Sequence, residues 1–231
     1  MNNPKKKLRE YLNQIVHRFL NTKSLFCELK RINAWSTPER EGALNHGAYF
    51  FQLTTYSMTR IYLVELAAIL SEKEERSLID WLRKACVHAR SIFPTRYNPN
   101  EKNEREVIKE NEYREIIDQN ISDLDSFNDL INRIKSWRDK FIAHFDKSFF
   151  DTPEAIYEKY PITNSEIDEL IECVARILHE HYSYLFHADS RMEILSETNV
   201  DSILRYVQAF QKVWKDKKLL NNGFRPASYL E

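Results

Sequence analysis

LDSFNDLINRIKSWRDKFIAHFD, Leu124 to Asp146, decides how this chain is read. Its apolar residues recur at the spacing of an amphipathic helix. Trp137 can be set at zero on a wheel turning about 100° per residue. Leu124, Phe127, Leu130, Ile131, Ile134, Phe141, Ile142 and Phe145 then share an arc of roughly 20° to 140°. Arg138 falls inside that arc, at roughly 100°. Its neighbours one turn away are Ile134, Lys135, Phe141 and Ile142, none of them a carboxylate, so no salt bridge along the helix is expected. An arginine buried unpaired in such a stripe is strongly unfavourable. Two readings stay open. Arg138 pairs with an acid from another helix, or it faces a cleft or subunit interface that holds an anion. His144 falls at roughly 340°, over Trp137 and about 120° from Arg138. The two do not share a face of an ideal helix. The length of the arginine, and the break in the pattern after Phe145, would let a cleft or a second chain bring both to one anion.

The rest of the chain repeats the helical period. Leu8 to Leu29 reads as a first helix with Leu8, Leu12, Ile15, Phe19, Phe26 and Leu29 inward. Thr37-Pro38-Glu39-Arg40 is a helix start, and a long second helix runs from it to about Leu70. Ser71 with Glu74 has the form of a capping box opening a third helix, Glu72 to Phe93. Residues 95–120 are dense in Glu, Lys and Asn and read as a charged, partly helical surface insertion. Asp123 to Phe145 is the next helix. Asp151-Thr152-Pro153 and Tyr160-Pro161 bracket a loop, and Thr163 with Glu166 caps a helix from Asn164 to Phe186. A last helix spans about Ser202 to Lys217. With only 3 glycines and almost no hairpin signals, the expected fold is an all-α up-and-down bundle. It would occupy residues 1–187, with residues 188–231 as a C-terminal helical extension and tail.

Composition narrows the function classes. Hydrophobic residues make up 42% and charged residues 30%, a globular balance. Lys plus Arg is 34 and Asp plus Glu is 35, so a nucleic-acid partner must be held by a local patch. Cys27, Cys86 and Cys173 are far apart and form no CxxC pair, which argues against disulfides and a zinc site and fits a reducing cytoplasm. MNNPKKKLREYLNQ is basic with no apolar run after it, so no signal peptide is expected. Tyr49 to Leu70 carries Arg60 and Glu65 and reads as a buried helix rather than a membrane span. HEHYSYLFH, His179 to His187, is not HExxH, because Ser183 stands at the needed position. No glycine-rich phosphate loop or nucleophile motif is present, and no cofactor or metal is expected.

Arg138, Asp139, then Lys-Phe-Ile-Ala and His144 fit an arginine, a polar residue, a short spacer and a histidine. This pattern is the signature of the HEPN superfamily, and RDKFIAHFD resembles its abortive-infection branch of the AbiU type. The flanking ISDLDSFNDLINRIKSW and PITNSEIDELIECVARIL are similar to that branch in character, as is SMTRIYLVELAAIL with its arginine in an apolar context. The resemblance covers roughly residues 5 to 187. Many HEPN proteins are metal-independent ribonucleases that act as homodimers, so the resemblance implies RNA cleavage at a site shared by two chains. RNA transesterification needs a base for the ribose 2′-hydroxyl and an acid for the leaving 5′-oxygen. One chain offers one motif histidine, and a two-fold dimer supplies two, with two arginines for the transition-state charge. The expected products are a 2′,3′-cyclic phosphate and a 5′-hydroxyl.

Arg138, His144 and Asp139 are therefore the candidate catalytic residues. Asp139 would orient an arginine or histidine across the interface, or is a surface acid. Lys140 and Arg60 are candidate RNA contacts. The alternatives are a solvated lysine and a buried structural ion pair. Lys5, Lys6, Lys7 and Arg9 form a basic cluster that would hold RNA or simply be solvated, as do Lys212, Lys215, Lys217 and Lys218. Asp146 stands where another HEPN branch carries a modifiable tyrosine, so that chemistry is not expected. The rival to a toxin or phage-defence ribonuclease is a non-catalytic helical module binding RNA or protein. A further possibility is work beside an antitoxin or regulatory partner. No membrane partner is expected.

Overall fold

The computed structural model describes residues 4–97, 104–143, 155–188, 192–193, 199–214 and 221. In chain order its elements are α1 (Pro4–Asn33), α2 (Glu41–Asn45), α3 (Ala48–Ile69), α4 (Leu78–Val87), α5 (Ala89–Ile92), β1 (Thr95–Tyr97), β2 (Arg105–Val107), α6 (Glu110–Asp125) and α7 (Asn128–Ser136). A π-helical segment (Trp137–Ala143), α8 (Ala155–Lys159), α9 (Asn164–Phe186) and α10 (Val200–Trp214) follow. The expected all-α bundle is what forms. Two compact units divide the chain: residues 1–23 with 60–194, and residues 24–59 with 195–231.

The first unit is built on the inward stripes of its helices. Leu8, Leu12, Ile15 and Phe19 of α1 are buried, as are Leu63 and Leu66 of α3, Trp81 and Leu82 of α4, and Tyr113 and Ile117 of α6. Trp81 also donates its indole N–H to the Leu8 carbonyl at 2.9 Å, which fixes α4 on α1. The α9 helix begins at the expected capping box: Thr163 accepts from the Glu166 amide while Glu166 reaches back to the Thr163 amide. Its buried stripe runs Ile167, Leu170, Val174, Leu178, His181 and Leu185.

His181 is wholly buried, and its neighbours decide its tautomer. Arg176 donates to the Asn120 carbonyl oxygen, so the Asn120 amide nitrogen faces Glu180 at 2.9 Å and His181 Nε2 at 3.1 Å. Nε2 must then accept, which puts the ring proton on Nδ1, 3.0 Å from the Tyr113 hydroxyl oxygen that accepts it. Burial pushes the imidazole down to about 3, so it is neutral.

Several expected boundaries move. The expected helix from Glu72 begins instead at Leu78, where Ser77 accepts from the Asp80 amide. Residues 71–77 form the loop that carries Glu74. The helix expected from Thr37 breaks around His46 and Gly47 into α2 and α3. Thr95–Tyr97 and Arg105–Val107 are not helical, because they pair antiparallel as β1 and β2 with Arg96 opposite Glu106. Arg96 also pairs with Glu106 and Glu112, so opposite charges lock that hairpin onto α6. The single helix expected over Asp123 to Phe145 is α6, α7 and the π segment in succession, with a turn at Ser126 and Phe127.

The second unit centres on Trp35, Ala43 and Leu204, with Leu44, Phe51, Val200 and Val207 packed around them. Trp35 donates to Asp201 at 2.7 Å, and Glu28 accepts the Val200 amide at 2.9 Å at the start of α10. The helix expected to be buried over Tyr49 to Leu70 is buried only from Tyr62 onward. Tyr49, Phe50, Leu53 and Tyr56 are exposed, as are Ile203, Tyr206 and Phe210 of α10. No helix of the described residues is long and apolar enough to cross a membrane.

Candidate functional site

The α7 helix ends where the motif begins. Trp137 is buried, donates its indole N–H to the Tyr160 carbonyl at 2.8 Å and packs edge-on against Tyr157 at 4.8 Å. With the turn anchored there, the next residues follow π-helical geometry through Ala143. A π turn spaces its hydrogen bonds one residue further apart than an α turn, and such turns recur at functional sites. The α-helical wheel therefore stops applying at the motif. Ile131 and Ile134 are buried, whereas the Arg138 side chain is 22% exposed.

Arg138 is paired with two acids. Its Nη1 donates to Glu74 Oε1 at 2.7 Å, and its Nε donates to Asp139 Oδ1 at 2.7 Å. The Asp139 bond, partly offset by burial, holds the guanidinium above its ordinary range. Both acids are more open than the arginine, at 43% and 56% exposed, so the pairing is a solvated one. Asp139 thus stands beside Arg138 on the same chain.

The other candidates converge on the same short segment. Arg60 Nη2 donates to the Ile142 carbonyl at 3.0 Å, tying α3 to the end of the π turn. Lys140 Nζ donates to the Tyr160 hydroxyl at 2.6 Å, and that contact lowers the Tyr160 pKa. His144 lies outside the described residues. Upstream, Arg133 bridges Asp129, Glu166 and the Pro161 carbonyl, which holds α7 against the start of α9. That arginine and the cap bring Glu166 down to about 2.

The loop that carries Glu74 is braced from α1. The Tyr11 hydroxyl contacts the Ser77 carbonyl at 3.0 Å and Asp80 at 2.8 Å, and Lys84 donates to Asp80 at 2.6 Å. Burial pushes the Asp80 carboxyl up, but the Lys84 and Tyr11 hydrogen bonds outweigh it and leave it lowered. Glu74, Tyr157 and Tyr160 were not foreseen as site residues. Glu74 sat in an apparent capping box and Tyr160 in an apparent loop, and nothing in their spacing points to Arg138. Among the described residues, no group of three or more His, Cys, Asp or Glu is placed to hold a metal ion.

The arrangement offers a half-buried cation on a wide helical turn, with two carboxylates that a more strongly charged anion would displace. Lys140 lies on the same turn, and Arg60 of α3 reaches its end. No curated protein and no solved structure matches the chain. The sequence model of AbiU2, a HEPN family, matches residues 5–206, which span every element of this site. This chain is therefore a member of the AbiU2 family of HEPN proteins.

Proposed function

We propose that the chain is an endoribonuclease that cleaves RNA by 2′-hydroxyl transesterification, without a metal ion, at a site completed by a second copy. Its role would be that of a toxin or phage-defence effector, acting in the cytoplasm and restrained by an antitoxin or regulatory partner. One observation carries this reading: Arg138, in the family's arginine-to-histidine motif, is presented on a π turn as a partly exposed cation held, among the described residues, by open carboxylates. A substrate phosphate would replace Glu74 on Nη1 and keep the guanidinium charge on the non-bridging oxygens. His144 of one chain would take the 2′-hydroxyl proton as that oxygen attacks phosphorus. His144 of the partner subunit would give a proton to the departing 5′-oxygen. A 2′,3′-cyclic phosphate and a 5′-hydroxyl result, with protons balanced across the pair. Asp139 would keep Arg138 oriented, and Lys140 and Arg60 would bind phosphates along the strand. The exposed aromatic residues of the second unit support association with a second copy.

RNA cleavage with excess chelator tests the proposal. Wild type should yield cyclic-phosphate ends, and folded, dimeric Arg138→Ala and His144→Ala should not. The Glu74 pair favours one second reading, in which Arg138 is a structural ion-pair partner and the chain is a non-catalytic RNA- or protein-binding module. Loss of the dimer or of the fold in Arg138→Ala, with no RNA cut by wild type, would select it.

A further inference from the structure

Lys5, Lys6, Lys7 and Arg9 crowd the start of α1, and no acid stands in its first turn. That placement works against the helix, whose N-terminal end carries partial positive charge and favours carboxylates. General basicity does not explain it, since the net charge is -1. The same part of α1 lies against the last turn of α9. The Arg9 guanidinium stacks on the Phe186 ring, 4.6 Å from its centroid. Phe186 in turn lies nearly parallel to Tyr182, with centroids 4.3 Å apart. Lys5, Lys6, Arg9, Asn13 and Phe186 line an open cleft of about 360 Å³. One carboxylate, Glu10, also lines it, 3.9 Å from Lys6.

The hairpin adds a cation at the same helix end. Arg105 Nη2 donates to the Ser183 carbonyl at 2.7 Å, and its guanidinium lies 4.3 Å over the Tyr97 ring. Its buried Nη1 meets no hydrogen-bond acceptor among the described residues. His187 pairs with the Thr95 hydroxyl at 2.9 Å. Burial, then the charges of Arg105, Lys5 and Arg9, hold that imidazole below its ordinary range, so the cations gather around one point.

We propose that this face is a binding track for single-stranded RNA: Lys5, Lys6 and Arg9 take backbone phosphates, and a base stacks on the outer face of the Arg9 guanidinium, which the Phe186 and Tyr182 rings back. Single strands are held by this combination of cations with flat π surfaces. An anionic bilayer would instead be met by aromatic rings projecting outward, and here the rings lie flat beneath guanidinium groups. The track rests on the RNA-acting reading and adds where the strand is held outside the Arg138 turn.

The test uses the full chain with His144→Ala, so that RNA stays intact, and a labelled single-stranded RNA of about 12 nucleotides. Binding is read by fluorescence anisotropy from low to high salt. Lys5→Gln, Lys6→Gln and Arg9→Gln together should weaken binding by roughly tenfold or more at moderate salt. The plot of log K against log salt should become shallower by about 2, as three lost phosphate contacts require for a single strand. Phe186→Leu should weaken binding without changing that slope. Unchanged melting and elution volume would show that the variants are folded. If the parent binds RNA and the triple variant matches its affinity and slope, the track is wrong and the RNA-acting reading stands. If the parent binds no RNA, or binds only vesicles of anionic phospholipid through these residues, both fall.

Discussion

His181 and Arg138 both interrupt apolar stripes in this protein, and their surroundings differ in kind. His181 on α9 is fully buried, neutral and hydrogen-bonded at both ring nitrogens. Arg138 on the π segment is charged, 22% exposed and held by carboxylates that are themselves open to water. The helix around His181 stays regular for 23 residues, while the helix at Arg138 widens. A satisfied, dry polar group defines a core, and nothing from solution can replace its partners. A wet ion pair on a widened turn can exchange one anion for another. Histidine at the first position and arginine at the second therefore mean different things, although both look like the same anomaly on a helical wheel.

The largest effect separates the two positions by activity. Arg138→Ala is expected to lower RNA cleavage by about 10²–10³-fold, the usual cost of removing one donor to a transition-state oxyanion. Its thermal midpoint should move little, since a half-exposed ion pair contributes at most about 1 kcal/mol. His181→Ala should do the reverse. It removes one hydrogen-bond partner each from Asn120 and Tyr113 and opens a cavity in the core, so unfolding free energy should fall by about 2–4 kcal/mol in a denaturant titration. Cleavage per folded molecule should survive. Equal losses of activity in both variants would erase the distinction.

Acid gives a second way to sharpen it. His181 is depressed to about 3 from an ordinary value of 6.5, so the unfolded chain binds the extra proton in between. Its contribution is fully present above pH 6.5 and is lost as pH falls toward 3. The slope should approach about 1.4 kcal/mol per pH unit for one proton. Glu166, lowered from 4.5 to about 2, adds its own loss only below pH 4.5. Urea melts between pH 4.5 and 6.5 should therefore show a slope that His181→Phe reduces, leaving the contribution of the depressed His187, and that Arg138→Gln leaves intact.

Smaller effects probe the latch on Arg138. Glu74→Gln keeps the shape of the side chain and removes its charge. Affinity for RNA, measured in the His144→Ala background, should tighten by up to about fivefold, the worth of an exposed ion pair. Weaker RNA binding with lower stability would mark the pair as structural. Trp137→Phe loses the hydrogen bond to the Tyr160 carbonyl and should cost about 1 kcal/mol. Cleavage should fall with it if the anchored tryptophan sets the π turn.

Much of this is legible in the sequence. Thr163 and Glu166 announce the start of α9, and the stripe from Ile167 to Leu185 is buried as its period requires. The same reasoning misplaced Ser71 with Glu74, because a capping box and a loop acid have the same local spacing. Ser77 with Asp80 closes the helix start instead, and Glu74 is left to meet Arg138. The exposed half of α3 was misread for a related reason. Apolar residues are a condition for burial, but the coverage has to come from another element, and Tyr49, Phe50 and Tyr56 stay exposed.

By itself the sequence determined the helical class, the capped α9 helix and the family motif that singles out Arg138 and His144. These rest on periodicity and spacing, which act within a few residues. Tertiary structure decided that Glu74, 64 residues away, neutralises Arg138. It also decided that Arg60 closes the π turn on Ile142 and that Arg9 lies on Phe186. Those pairs form only once loops have closed and helices have packed, and no local spacing records which distant partner a long, charged side chain will meet.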